Sequence, residues 1–296
     1  MKSRVFEFFL FAEVLFLSLS SCCFSGDRVV DTSKGKSQDR EETKMSQISD
    51  AVLALDLSAA DLARAQGAAA ITELSNLLQH EDNAVRTVAT IALGGISHPE
   101  AYRALMRAAE DEDDSVASAA VEQLSKRGPV IGASELTKLL GSMKSDAARR
   151  QLVLTIGTVA DESEKNLLSD FCLANGATET TLSCMAALAK LGSEESRKDF
   201  SQYLVTTRDL EAFQMAEYIG QPWLLPYLGQ LLRYRDPVQT LGDPPPGFPN
   251  MLRVCDKAVV LIAEISGREF SFPTNVHMNY DEKQLSEAAR VAGCPF

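Results

Sequence analysis

The side chains best suited to chemistry are few in this 296-residue chain, and their spacing sorts them. His80-Glu81 is a His-Glu pair of the kind that can open a metal site. A metal oxygenase site needs several such ligands, and neither His98-Pro99-Glu100 nor the solitary His277 supplies a second pair. Glu110-Asp111-Glu112-Asp113-Asp114 lines up five carboxylates, a set that can hold a hard cation or meet a basic partner. The spacing of a calcium loop and its central glycine are missing. These acids are therefore expected at the start of a helix, where carboxylates satisfy free N–H groups and favour the positive end of the dipole. No serine elbow with a matching base and no glycine-rich phosphate loop occurs. The expectation is a chain without catalytic, cofactor-binding or metal-binding residues.

Cysteines are the other reactive group. Cys172, Cys184, Cys255 and Cys294 lie in the body of the chain, where an oxidising compartment would allow two disulfides in three possible pairings. Cys172 and Cys184 fall on the apolar sides of consecutive helical segments and read as buried core thiols. Cys255 paired with Cys294 would staple the otherwise loose tail from Asp281 to Phe296 onto the last repeat. Cys22 and Cys23 belong to a different feature. Residues 1–22 open with Lys2 and Arg4, continue through an apolar run containing Glu7 and Glu13, and end in Leu19-Ser20-Ser21-Cys22. This is the layout of a secretory signal. Its last four residues resemble the bacterial lipobox, and the resemblance implies that Cys22 is diacylated and becomes the new amino terminus, tying the chain to a membrane of the cell envelope. A start at Met45 is the alternative, and it would leave the body in the cytosol. The uninterrupted apolar stretches fall well short of the ~20 residues that a membrane-crossing helix needs.

Positioning such groups requires a folded body, and the composition provides one. With 45% hydrophobic and 24% charged residues the chain is an ordinary folded protein, which excludes global disorder, a collagen-like fibre and a disulfide mini-scaffold. Its formal net charge of −12 argues against free nucleic acid as a partner. Residues 23–49 are polar and lack periodicity, as expected of a flexible tether. From residue 50 onward apolar residues recur at spacings of three and four, the signature of amphipathic helices. One helix carries Val85, Val88, Ala89, Ala92 and Leu93; the next carries Tyr102, Leu105, Met106 and Ala109.

The pairs repeat. Leu93, Leu124, Ile156, Leu191, Ile219 and Ile265 close successive first helices at intervals near 30 residues, which is a solenoid period. Gly94, Gly128, Gly157, Gly192, Gly220 and Gly267 follow them, where a left-handed residue is expected to end the helix. Second helices are predicted around Leu74, Leu136, Leu168, Phe200 and Leu228, and no alternating strand pattern competes. Asp82-Asn83-Ala84-Val85-Arg86, Asp113-Asp114-Ser115-Val116 and Val254-Cys255-Asp256-Lys257-Ala258-Val259 open the phrases that resemble the short HEAT-like repeat of the phycobilisome-lyase type. The resemblance covers about residues 50–270. It implies an all-α, right-handed α-solenoid of about six to seven helix pairs whose long groove holds another protein. Enzymes with such repeats include deoxyhypusine hydroxylases and bilin lyases, so a bilin-lyase-like enzyme, or a cytosolic adaptor, is the alternative should residues 1–22 not be an export signal.

The organisation expected is a signal with lipobox over 1–22, a linker over 23–49, repeats over 50–236, a Pro-rich insertion over 237–250, and a last repeat with its tail over 251–296. The partners expected are another protein along the groove and a membrane through the lipid anchor. Trp223 either packs between repeats or anchors that partner. Phe248 either packs the insertion down or lies on the binding face. The acids Glu110, Asp111, Glu112, Asp113 and Asp114 complete the candidate contacts.

Overall fold

Helices in this chain start where a short polar side chain folds back onto the backbone. In the computed structural model, which describes residues 47–294 apart from 163, 175–179 and 243–248, Asp82 caps α4 (Asn83–Gly94) by accepting from the Ala84 N–H. Asp113 caps α6 (Asp114–Ser125) through the Ser115 and Val116 N–H groups. Ser145 caps α9 (Asp146–Val159), Ser193 caps α12 (Glu194–Thr207), and Asp209 caps α13 (Leu210–Ile219). Each such cap is worth about 1 kcal/mol. His98 does the same work for α5 (Pro99–Ala108), accepting from the Glu100 N–H through Nδ1, with Pro99 at the first helical position. The signal, Cys22, Cys23, most of the linker and Phe248 lie outside the described residues.

The remaining helices are α1 (47–53), α2 (Ala59–Gln66), α3 (Ile71–Leu77), α7 (Gly128–Ile131), α8 (Ala133–Leu140), α10 (Lys165–Ala174), α11 (Thr181–Lys190), α14 (Leu225–Leu231), α15 (Val254–Ser266) and α16 (Glu282–Val291). Residues 47–49, expected in the linker, are already helical, and Ile48 is fully buried. The first helices pack directly on one another in the order α2, α4, α6, α9, α11, α13. Small side chains permit that close stacking: Ala89, Ala92, Ala117, Ala120, Ala148, Ala187, Ala212 and Ala216 are all buried at it. The second helices, α3, α5, α8, α10, α12 and α14, flank this row and touch one another less. The result is an all-α solenoid of helix pairs.

Three of the six expected helix-ending glycines need correction, and one of them, Gly128, opens α7 and ends no helix. Gly192, Gly220 and Gly267 adopt the left-handed conformation at helix ends, as the spacing predicts. Gly94 and Gly157 instead lie inside α4 and α9 with ordinary helical backbone. At Gly157 the neighbouring helix comes too close for a side chain: a Cβ there would sit 2.6 Å from the Ala187 Cβ and against the Tyr218 hydroxyl, while at Gly94 it would displace the Gln123 side chain.

The insertion also differs from its expected form. Its flanks pair as an antiparallel hairpin of β1 (Pro237–Thr240) and β2 (Met251–Arg253), with a register irregularity between Pro237 and Gln239. Its Pro-rich extended path was expected; the strand pairing was not. Likewise the tail from Asp281 is no loose end. Asp281 and Gln284 form a capping box at the start of α16, and Leu285, Ala288 and Ala289 bury against the last helices.

The buried residues fall into two clusters. One runs from Ile48 to Ala187 and the other from Ala186 to Ala292, so that α11 contributes to both and forms the seam between them.

Candidate functional site

The acidic run is drawn into the repeat array itself. Asp111 makes a two-pronged ion pair with Arg86 of the preceding repeat, Nε to Oδ2 at 2.9 Å and Nη2 to Oδ1 at 3.0 Å, with the two side chains only 14% and 15% exposed. Charge-assisted, paired hydrogen bonds of this form are the stronger kind. Arg86 spends its third nitrogen on the His80 and Glu81 carbonyls at 2.9 and 3.2 Å, and its pKa rises because Asp111 bonds to it. Asp113, besides capping α6, accepts from the Asn83 amide, and that bond holds its carboxyl below the ordinary carboxylate range. Glu110 accepts from the Ser142 hydroxyl one repeat further on. Of the five acids only Glu112 and Asp114 remain exposed. What the array asks of this cluster is register between repeats.

The same economy recurs at other turns and was not anticipated from the sequence. Arg86, Arg149 and Arg197 each stand four residues after a capping Asp82, Ser145 or Ser193. Each reaches back to a carbonyl before its own helix: His80 and Met143 in the preceding turn, and Ala189 in the last turn of α11. The spacing cap-x-x-x-Arg is the signal that would have found them. Bonds one repeat long close the edge at which the first helices end: Arg127 donates to the Gly94 carbonyl, Lys190 to the Tyr218 carbonyl at 2.6 Å, and Gln221 to the Lys190 carbonyl at 2.8 Å. Cations and amides there satisfy carbonyls that helix ends leave without partners.

Trp223 lies at that edge, half-buried and built into it. Its Nε1 donates to Gln221 Oε1 at 2.8 Å, Arg197 stands over its ring at 5.5 Å, and Tyr227 meets it edge to face. Lys190 is close by in the network, over the Tyr218 ring at 4.1 Å. Burial lowers the pKa of Lys190 and raises that of Tyr218, whose hydroxyl donates to the Leu154 carbonyl at 2.7 Å. The geometry places Trp223 in packing between repeats, with part of its surface still open.

His80 accepts from the Asp82 N–H through Nδ1, so two of the three histidines work as local acceptors in turns. Among the described residues no group of three or more His, Cys, Asp or Glu side chains is placed to hold a metal ion. Also among the described residues, no helix is long and apolar enough to cross a membrane.

The cysteine pairing expected from the sequence is reversed. Cys172 and Cys184 are joined in a disulfide, with Cα atoms 5.9 Å apart, while Cys255 and Cys294 are free. Packing of α10 on α11 brings the first pair together. Cys294 instead turns to the Pro226 carbonyl at 3.1 Å and fills the space left by Gly229. Cys255 is fully buried at the start of α15, where burial and the neighbouring Asp256 push its thiol up to about 11.

Next to it lies the most deeply buried charge described. Asp256, 0% exposed, holds Arg253 through two bonds of 2.6 and 2.8 Å and accepts from the Tyr280 N–H at 3.1 Å. Arg253 in turn donates to the Tyr280 carbonyl at 3.1 Å. This knot joins the root of the hairpin to the segment that leads into α16, and the sequence, where Asp256 sits at one position of an apolar helix, gave no hint of it.

Comparison with known families recognises HEAT repeats over residues 57–125 and 71–157, overlapping matches that run from α2 through α9. No curated protein matches the chain. HEAT repeats are thus found in the part of the helical array where caps, arginines and small residues recur most regularly.

Proposed function

We propose that this chain is an exported, lipid-anchored scaffold that binds another protein of the cell envelope through its repeat array and carries no chemistry of its own. The observation that carries the reading is the Cys172–Cys184 disulfide in a HEAT-type body. Structural disulfides persist in oxidising compartments and are rare in the cytosol, so the bond supports the address suggested by residues 1–22 and by Cys22 as the acylated residue. The binding role rests on the architecture. A stack of helix pairs buries each apolar face against its neighbours and leaves one extended surface for a partner. Side chains of the kind that does chemistry are occupied here: His80 and His98 in turns, Asp111 with Arg86, Asp113 at a cap.

Incorporation of a labelled fatty acid into the full-length protein and into Cys22→Ala, with membrane fractionation of both, tests the address. Label and membrane retention in the parent, lost in the variant, are the expected result. Unlabelled soluble protein in which Cys172 and Cys184 are free thiols would overturn it and favour a cytosolic adaptor beginning near Met45, or the bilin-lyase-like enzyme, which turnover on a tetrapyrrole would reveal.

A further inference from the structure

The disulfide is placed where it holds one helix far more than the other. α11 is stacked between α9 and α13, packs on α12, and buries Ser183, Cys184, Ala186, Ala187 and Ala189. α10 buries Leu168 alone. Phe171 and Cys172 are only partly covered, while Leu167 is 43% and Leu173 78% exposed. A helix of ten residues is marginal in water without tertiary support, and a single buried leucine is little support. Its neighbours α8 and α9 belong to the first hydrophobic cluster, and the seam to the second cluster runs through α11 itself.

We infer that the Cys172–Cys184 bond is a releasable clamp: it keeps α10 docked at the seam of the solenoid, and a dithiol reductant frees that helix while the rest of the array stays folded. The exchange is a two-electron step. A thiolate of the dithiol attacks Cys172, the half-buried partner, and forms a mixed disulfide with it. Cys184, 6% exposed, leaves as the thiolate and takes up a proton. The second thiol of the reductant then attacks its own sulfur in the mixed disulfide, so that Cys172 departs as a thiol and the dithiol ends oxidised to a disulfide. Freed α10 would uncover the sides of α8, α9 and α11 that Leu168 and Phe171 now cover. The device goes beyond the scaffold reading, because it makes one stretch of the binding body responsive to the redox state around it.

Amide hydrogen exchange on the purified full-length chain, with and without dithiothreitol, tests the clamp. Reduction is expected to speed exchange across Lys165–Ala174 by roughly tenfold to a hundredfold, the range that closing a short loop is worth. Protection in α4 and α6 should stay as it was, which also shows that the reduced protein remains folded. Cys172→Ala combined with Cys184→Ala should reproduce the reduced pattern without reductant. Unchanged protection of α10 would overturn the proposal, as would loss of protection throughout the array, since the bond would then be a general staple. Cys172 and Cys184 both found as free thiols in the unreduced protein, by alkylation and peptide mapping, would remove it outright. None of these outcomes depends on whether Cys22 carries a lipid, so failure here is distinct from failure of the envelope reading.

Discussion

The two hydrophobic clusters are built from different materials. In the first, from α1 to α11, Tyr102 and Phe171 are the only aromatic residues between positions 47 and 187, and the interior is mostly alanine, valine, leucine and isoleucine. Polar ties there are at the turns and partly exposed: Asp82, Asp113, Asn83, and the Arg86–Asp111 pair. The second cluster holds Phe200 and Phe213 at its centre, with Tyr203, Tyr218, Trp223, Tyr227, Phe270, Phe272 and Tyr280 packed around or within it. Its chief polar tie sets the fully buried carboxylate of Asp256 against Arg253, which is 25% exposed. Small residues at every joint make successive repeats interchangeable, which is why HEAT repeats are recognised over 57–157. Large rings and a buried charge fit one joint only. Regularity identifies the first region, and specificity holds together the second.

The sharpest way to break that contrast is to remove one member of the buried pair. Asp256→Ala leaves Arg253 and the Tyr280 N–H without their acceptor in a closed site. Loss of one partner from a buried ion pair costs about 3–5 kcal/mol, so urea denaturation should show the second cluster melting first, with α16 and the hairpin root released together. Asp82→Ala in the first cluster, where a cap alone is lost, should cost only about 1 kcal/mol. Equal costs for the two substitutions would mean that the knot is no more important than an exposed cap.

Two glycines give a smaller and more local comparison. A Cβ on Gly157 would meet the backbone of Ala187, its Cα at 2.9 Å, as well as the Tyr218 hydroxyl. Backbone cannot step aside, and Gly157→Ala should destabilise by about 1–3 kcal/mol through overpacking between α9 and α11. On Gly94 the three nearest atoms all belong to the Gln123 side chain, which has to turn aside but leaves the backbone in place. There the gain in helix propensity, up to ~1 kcal/mol, offsets the crowding, and Gly94→Ala should be close to neutral. Thermal melting of both variants decides whether close approach is rigid at the seam and forgiving in the regular repeats.

These particulars also show what the sequence could and could not convey. Helix pairs and their period were legible because apolar spacing and caps act locally: Val85, Val88 and Leu93 on one face, Asp82 before them, Gly192, Gly220 and Gly267 at the ends. The hairpin was not, because Pro237–Thr240 has no clean alternation and β2 runs straight into the apolar start of α15. The disulfide pairing was misjudged for a related reason. Cys172 and Cys184 look like core positions on each helix taken alone, and only the docking of α10 on α11 brings them within bonding distance. Asp256 was hidden because its partners, Arg253 and Tyr280, are joined by the fold and not by any short motif.

At the regular end, Asp113→Ala should cost about 1 kcal/mol near neutral pH, since it removes the α6 cap together with the tie to Asn83. The pH dependence carries a sign. The folded-state pKa of Asp113 is depressed, chiefly by the Asn83 bond, so its ionised form stabilises the fold above the ordinary value of 3.8 and that contribution is lost as pH falls through the lowered one. The gap between parent and variant in urea titrations should therefore hold at neutral pH and narrow in acid. A gap that stays constant into acid would show that capping geometry, without charge, does the work.

The smallest effect concerns a thiol that should not react. A thiolate is the species that alkylates, and with the Cys255 thiol pushed up to about 11 only about a thousandth of it is ionised at pH ~8, in a fully buried site. Iodoacetamide should label Cys294 in the native protein and leave Cys255 untouched. Cys255 then becomes a reporter on the knot beside it. In Asp256→Ala the carboxylate that raises its pKa is gone and the site opens more often, so labelling of Cys255 should appear at concentrations of urea that leave the parent silent. Labelling of Cys255 in the untreated parent would mean that the second cluster opens freely, and that the buried charge pair does not confer the rigidity on which its contrast with the regular repeats depends.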